Sequence, residues 1–309
     1  MSVTLELWIA FGVLMIFMLA VDLGSNRTAH SISVRQAGIW SFVWVALALG
    51  FNAAIYFLIG QTKALEFFTG YVIEKSLSVD NLFVFIMIFR YFHIPPKYQA
   101  RVLKWGIIGA IVLRAVFIFV GIELLSAFHW MFYLFGALLI ITAWKMAFGK
   151  EEEINPEKNI LVKVARKYFP ITKRIQGDWF IKRRGKTWMA SPLLLALVMV
   201  ESSDVLFALD SIPAIFAVTL DPFIVFTSNL FAIMGLRALY FLLAGMIDIF
   251  VYLKPAICFI LAFVGVKMMV AAAGFEIPVQ FSLAVILTTL ALAVVASLVV
   301  SGKRPHKTN

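Results

Sequence analysis

Runs of about twenty residues without a charge recur along almost the whole of this 309-residue chain, and no other feature restricts its fold so strongly. Each run is long enough to cross the roughly 30 Å hydrocarbon core of a bilayer as an α-helix. The runs are continuous rather than alternating, which excludes a membrane β-barrel and leaves helices, whose backbone groups satisfy one another, as the architecture. The chain is 62% apolar and 14% charged, more apolar surface than a soluble domain of this length can hide. The expected fold class is all-α, a polytopic membrane helix bundle.

Approximate spans are 7–23, 38–60, 64–92, 103–122, 130–148, 190–219, 223–246, 254–273 and 279–300. The first run lacks the basic leader and small-residue cleavage site of a secretory signal and reads as a retained helix. Nine crossings place the termini on opposite sides, so Lys and Arg in alternate loops and at the flanking span ends can be compared. One side collects twenty-one, among them Lys303, Arg304 and Lys307 of the tail, and the other only Lys63. The positive-inside rule then puts the amino terminus outside and the carboxyl terminus in the cytoplasm. The net charge of +10 is thereby an orientation signal with some affinity for anionic lipid, and no nucleic-acid partner is expected.

The cytoplasmic insert at 149–189 opens with the acidic run Glu151, Glu152 and Glu153. Ile160, Leu161, Val164, Ala165 and Tyr168 then recur at helical spacing and predict a short surface helix. Stretches 179–181 and 187–189 flank a basic turn and predict a hairpin. One cysteine, Cys258, leaves no disulfide framework, redox pair or thiolate cage. His30, His93, His129 and His306 are scattered at or beyond span ends, against a haem or zinc site.

Residues 73–85 align without a gap over 203–215: Glu74 falls on Asp204, Asp80 on Asp210 and Asn81 on Ser211. The following helices repeat Leu-Arg-Ala at Arg114 and Arg237, then Lys-Met at Lys145 and Lys267. Three helices form an odd unit, so two successive copies run oppositely through the membrane, the inverted repeat of secondary transporters. The copies are spans 3–5 (64–148) and 6–8 (190–273); the last span and tail occupy 274–309. Spans 3 and 6 are each near thirty residues long and carry a carboxylate beside a polar oxygen residue, and both are expected to be interrupted near Asp80 and Asp210. Pro213 supplies a cause in span 6. On an unbroken helix residues six apart diverge by about 120°. Opened helices would let Asp80 and Asp210 converge with Glu74, Glu201 and Asp204 near the midplane.

Ionised carboxylates in hydrocarbon need partners or a function. Arg114 and Arg237 are the expected internal charge partners, with a mainly structural role, whereas Lys145 and Lys267 can snorkel to the surface. Asp22 is expected at the interface. Asn52, Thr227, Ser228 and Asn229 are expected to hydrogen-bond between helices. Carboxylates with Asn81 and Ser211 as additional ligands make an oxygen-rich pocket, suited to magnesium, manganese or calcium rather than copper or zinc.

Tyr71-x-x-Glu74-Lys75-Ser76-x-x-Val79-Asp80-Asn81, the stretch 201–217 from Glu201 through Asp204, Asp210 and Pro213, and the stretch 227–237 ending at Arg237 resemble the signatures of the TerC family over nearly the whole chain. The resemblance implies a bacterial cytoplasmic-membrane protein that exports manganese(II) as its substrate, with Glu74, Asp80, Glu201, Asp204 and Asp210 as the metal site. It implies no enzyme activity and no bound cofactor. Moving a divalent ion outward against an inside-negative potential costs about 4.6 kcal/mol per 100 mV, so a coupling ion is required and a proton is the simplest. The alternatives are a metal or pH sensor without flux, and an intramembrane aspartyl hydrolase pairing Asp80 with Asp210. The hydrolase lacks its expected Gly-x-Gly-Asp motif.

Overall fold

The computed structural model describes residues 5–24, 33–149, 159–172, 175, 177–184, 187–244 and 252–301. Glu151, Glu152, Glu153, His30, His306 and the basic tail residues lie outside them. Eight apolar helical segments are long enough to cross a membrane. They are α1 (Leu5–Gly24), α2 (Val34–Leu58), α4 (Pro96–Ala127), α5 (Met131–Phe148), α7 (Pro192–Phe216), the pair α8 (Pro222–Ile233) and α9 (Leu236–Ala244), α10 (Leu253–Ala272) and α11 (Val279–Ser301). The remaining long helix, α3 (Gln61–Tyr91), lies at the third of the nine expected spans and is too polar for that group.

Its polarity reflects its position. Helix α3 packs against α2, α7 and α8, and Thr69, Glu74, Ser76, Ser78 and Asn81 are all buried. A helix walled off from lipid has no need of an apolar surface, provided its polar groups are satisfied inside. Ser76 does so by bonding the Val72 carbonyl at 2.6 Å, and Thr69 the Leu65 carbonyl at 2.7 Å. The outer helices are the reverse: Leu5, Phe42, Phe57 and Phe148 are exposed, as lipid-facing side chains are.

Helices end later than the apolar runs do. Helix α4 starts at Pro96 in its first turn and takes in Lys97, Gln99 and Arg101 before the apolar stretch begins, because a helix can continue into the headgroup layer where charges are solvated. The insert forms the expected short helix α6 (Ile160–Tyr168), capped by the Asn159 side chain on the Val162 amide at 3.1 Å. The expected hairpin comes next, β1 (Ile181–Arg184) antiparallel to β2 (Thr187–Ala190), with Arg183 opposite Trp188.

Two expectations about backbone are corrected. Helices α3 and α7 run unbroken through Asp80 and Asp210. Pro213 removes one donor from the last turn of α7, but the helix continues to Phe216 and closes with the Ala217 amide on the Pro213 carbonyl. The break lies elsewhere, at Met234–Gly235 between α8 and α9, where Gly235 has φ +77°. A side chain there would meet Trp44, its Cβ only 2.5 Å from the indole Cδ1, so glycine is required twice over. The carbonyls freed at the end of α8 are met by the Lys75 ammonium, 3.0 Å from Ala232 O and 3.4 Å from Met234 O.

Candidate functional site

Glu74 in the middle of α3 and Arg114 in the middle of α4 are completely buried and form a direct ion pair. The same guanidinium reaches Asp204 of α7 through Nη2 at 3.4 Å, Asn229 Oδ1 of α8 at 3.2 Å and Ser211 Oγ of α7 at 3.4 Å. Asn229 donates in turn to Glu74 Oε2 at 3.1 Å. One arginine thus ties four helices together. At this depth an unpaired charge costs several kcal/mol, so the groups hold one another in place. Asp204 Oδ2 and Arg114 Nε are the members without a hydrogen-bond partner among the described residues.

Asp80 and Asp210 face away from this network. Each lies six residues beyond Glu74 or Asp204, about 120° round an unbroken helix, and that turn carries both into one shared cavity of ≈ 630 Å³. Asn81, Thr142 and Lys145 also line it, and it extends to Gly149, where α5 ends and the insert begins. The Thr142 hydroxyl donates to Asp210 Oδ1 at 2.8 Å. Asp80 and Asp210, aligned with each other in the sequence, thus line one cavity while both helices stay unbroken.

The five carboxylates to which the sequence points consequently do not gather in one place. Glu74 and Asp204 share Arg114, Asp80 and Asp210 share the cavity, and Glu201 lies against α4 at Gly109. A Cβ at Gly109 would meet the Glu201 carboxylate, which would have to move aside. Among the described residues no group of three or more His, Cys, Asp or Glu side chains is placed to hold a metal ion. The oxygen donors offered together are those of Asp80, Asp210, Asn81 and Thr142. Ser211 instead belongs to the Arg114 network.

Three further assignments change. Arg237 does not repeat the role of Arg114: it pairs with Asp22 of α1, through the backbone carbonyl and through Oδ1 at 3.5 Å. Asp22 is accordingly buried rather than interfacial. Lys267 is also buried, at 4% exposure, because it shares a face of α10 with Ile260, Val264 and Met268. Lys145 is exposed and lines the cavity. Of the polar residues expected to bond between helices, Asn229 does so, while Thr227 and Ser228 bond carbonyls of their own helix and Asn52 Oδ1 is buried without a partner among the described residues. Thr142 is the one cavity residue with an oxygen donor that sequence reasoning misses; its signal is slight, a polar residue one turn before Lys145 in an otherwise apolar span.

The family description "Integral membrane protein TerC family" matches residues 59–305. An uncharacterized membrane protein of Myxococcus xanthus is 50% identical over 97% of this chain and 94% of its own length. A protein of Escherichia coli (strain K12) named "Putative membrane-bound redox modulator Alx" is 48% identical over 93% of this chain and 92% of its own. An uncharacterized membrane protein of Rickettsia bellii is 39% identical over 94% and 97%. No solved structure matches the chain.

Proposed function

Because the chain belongs to the TerC family of integral membrane proteins, we propose that it exports a divalent metal cation, manganese(II), across the bacterial cytoplasmic membrane in exchange for protons. The observation that carries this reading is the pair Asp80 and Asp210, equivalent positions of two sequence copies lining one cavity beside Asn81 and Thr142. Two carboxylates balance one divalent cation, and hard oxygen donors suit manganese, magnesium or calcium. The family resemblance selects manganese among them.

The cavity reaches the insert end of α5, which the distribution of basic residues assigns to the cytoplasm. A cation admitted there meets Asp80 and Asp210 first. Beyond them Glu74 and Asp204 are held by Arg114, and a cation moving on competes with that guanidinium for the same carboxylates. Protons returning on the carboxylates carry positive charge inward, which offsets the cost of about 4.6 kcal/mol per 100 mV for outward movement of two charges. The redox name of the Alx relatives finds no dithiol here, since Cys258 is the only cysteine.

The test is manganese(II) flux into or out of proteoliposomes, with and without a pH gradient, for wild type, Asp80→Asn and Asp210→Asn. Flux should track the pH gradient. Each variant should lose more than the roughly 10- to 100-fold that removal of an outer-shell partner costs a metal site. Wild type that binds manganese through these aspartates but moves none would replace export by sensing. Cleavage of a membrane peptide by wild type, lost in the same variants, would replace it by aspartyl hydrolysis.

A further inference from the structure

Helix α6 lies outside the spans, yet four of its nine residues are large or aromatic side chains open to the surroundings: Ile160 at 74% exposure, Leu161, Val164 and Tyr168 at 70%. At 100° per residue they fall within an arc of about 100°. Val162 and Ala165 occupy a second arc; Val162 is buried, and α6 packs there against α7. Lys163, Arg166 and Lys167, all exposed, occupy the third. The three arcs are centred roughly 120° apart. A helix lying in a membrane interface and leaning on a protein has three such neighbours: the protein wall, the acyl chains and the headgroup layer.

The chain beyond Tyr168 fixes the level of α6. Residues 170–172 run beside β2, with the Ala190 amide on the Pro170 carbonyl at 3.0 Å and the Thr172 amide on the Ala190 carbonyl at 2.9 Å. Ala190 is two residues before α7 begins. On the other side Asp178 pairs with Arg101 in α4, and the Phe180 ring meets Trp105 edge-on at 6.5 Å between centroids. The insert is therefore held beside the amino-terminal parts of α4 and α7, the parts of a spanning helix that adjoin the headgroup layer. Exposed Trp188 on the hairpin, opposite Arg183, is the kind of aromatic that populates this layer.

We propose that α6 is an interfacial anchor that binds anionic phospholipid: its Ile160–Leu161–Val164–Tyr168 face is buried at the acyl boundary, and Lys163 and Lys167 contact acidic headgroups. Basic charge beside an apolar face selects an acidic bilayer surface over a neutral one. The anchor pins the start of α7, the helix that carries Glu201, Asp204 and Asp210. It does not depend on which ion the protein moves.

The test uses the full chain with Cys258→Ser, single cysteines introduced as Leu161→Cys, Val164→Cys or Lys163→Cys, and a polarity-sensitive fluorophore on each. Proteins are placed in nanodiscs of phosphatidylcholine alone or mixed with phosphatidylglycerol, with shallow doxyl-labelled lipid as quencher. Labels at 161 and 164 should be blue-shifted and quenched by the doxyl lipid, and the label at 163 should be neither. Quenching at 161 should rise with phosphatidylglycerol, and the double change Lys163→Gln, Lys167→Gln should abolish that rise. Water-like emission at 161 and 164 in both nanodiscs would overturn the proposal. So would a blue shift without doxyl quenching, because protein rather than lipid would then cover the face. Quenching that is indifferent to phosphatidylglycerol would overturn the choice of an anionic partner.

Discussion

Arg114 is the residue on which most of the buried polar structure depends, since it is paired with Glu74 and Asp204 and bonded to Asn229 and Ser211. Its necessity is visible in the sequence as a basic group in mid-span, facing acids in spans 3 and 6. Which acids it takes is not visible there, because that choice depends on the rotation of two helices rather than on spacing along one. Arg114→Gln leaves two buried carboxylates without their cation. Breaking a buried pair this way costs about 3–5 kcal/mol, and thermal unfolding of the detergent-solubilised variant should begin well below that of wild type. Arg114→Gln combined with Glu74→Gln removes one of the stranded charges and should recover part of the loss. A single variant as stable as wild type would show that the network does not hold the bundle together. Arg237, its sequence counterpart, is committed to Asp22 instead, and the repeat carries no sign of that asymmetry because Asp22 lies outside both copies.

At the scale of elements, apolar runs locate the eight long apolar helical segments, because hydrocarbon enforces a length and a composition that short windows detect, while helical spacing and a basic turn locate the insert helix and the hairpin. What they misplace is the break. Two long helices that carry buried or half-buried carboxylates look interrupted, yet α3 and α7 stay whole; Glu74 and Asp204 pair with Arg114 and Asp210 accepts from Thr142 without any opening of the backbone. The interrupted helix is α8–α9, and its signal is a single glycine, Gly235, in an apolar stretch two residues before Arg237. Gly235→Ala tests the assignment. A left-handed backbone costs an alanine about 1–2 kcal/mol, and the added methyl meets Trp44 as well. The variant should denature at a lower temperature than wild type in detergent, and in a Trp44→Ala background, itself destabilised by loss of a buried ring, Gly235→Ala should lower the melting temperature by less than it does in wild type. An unchanged melting temperature would mean that the break is not fixed at Gly235. Lys75 is one of the membrane bases to which the sequence assigns no role; it acquires one only where a helix ends against it, at the Ala232 and Met234 carbonyls.

Across the whole molecule, helices of the two copies pack on their counterparts: α3 on α7, α4 on α8 and α9, and α5 on α10. The crossed contacts α3 with α8 and α4 with α7 are also reciprocal. The two ends of the bundle differ. The cavity holding Asp80 and Asp210 extends to the insert end of α5. At the opposite end of α3, Lys63 bridges Glu66 of its own helix at 2.9 Å and Asp221, the cap of α8, at 3.0 Å. On the export reading, an access cycle needs one end open while the other is closed, and the Lys63 bridge would then be the closure at its end. These side chains are partly exposed, so the bridge is worth at most about 1 kcal/mol, or roughly five-fold in a two-state balance. The expectation can be read with Phe207→Cys, a position lining the cavity, in a chain carrying Cys258→Ser. A membrane-impermeant thiol reagent should modify this cysteine from the insert side. From the opposite side modification should be slow, and Lys63→Gln should accelerate it up to about five-fold while slowing modification from the insert side. If Lys63→Gln left both rates unchanged, the bridge would be a surface ion pair with no part in access; faster modification from both sides would mean that it holds the bundle together without choosing between its ends.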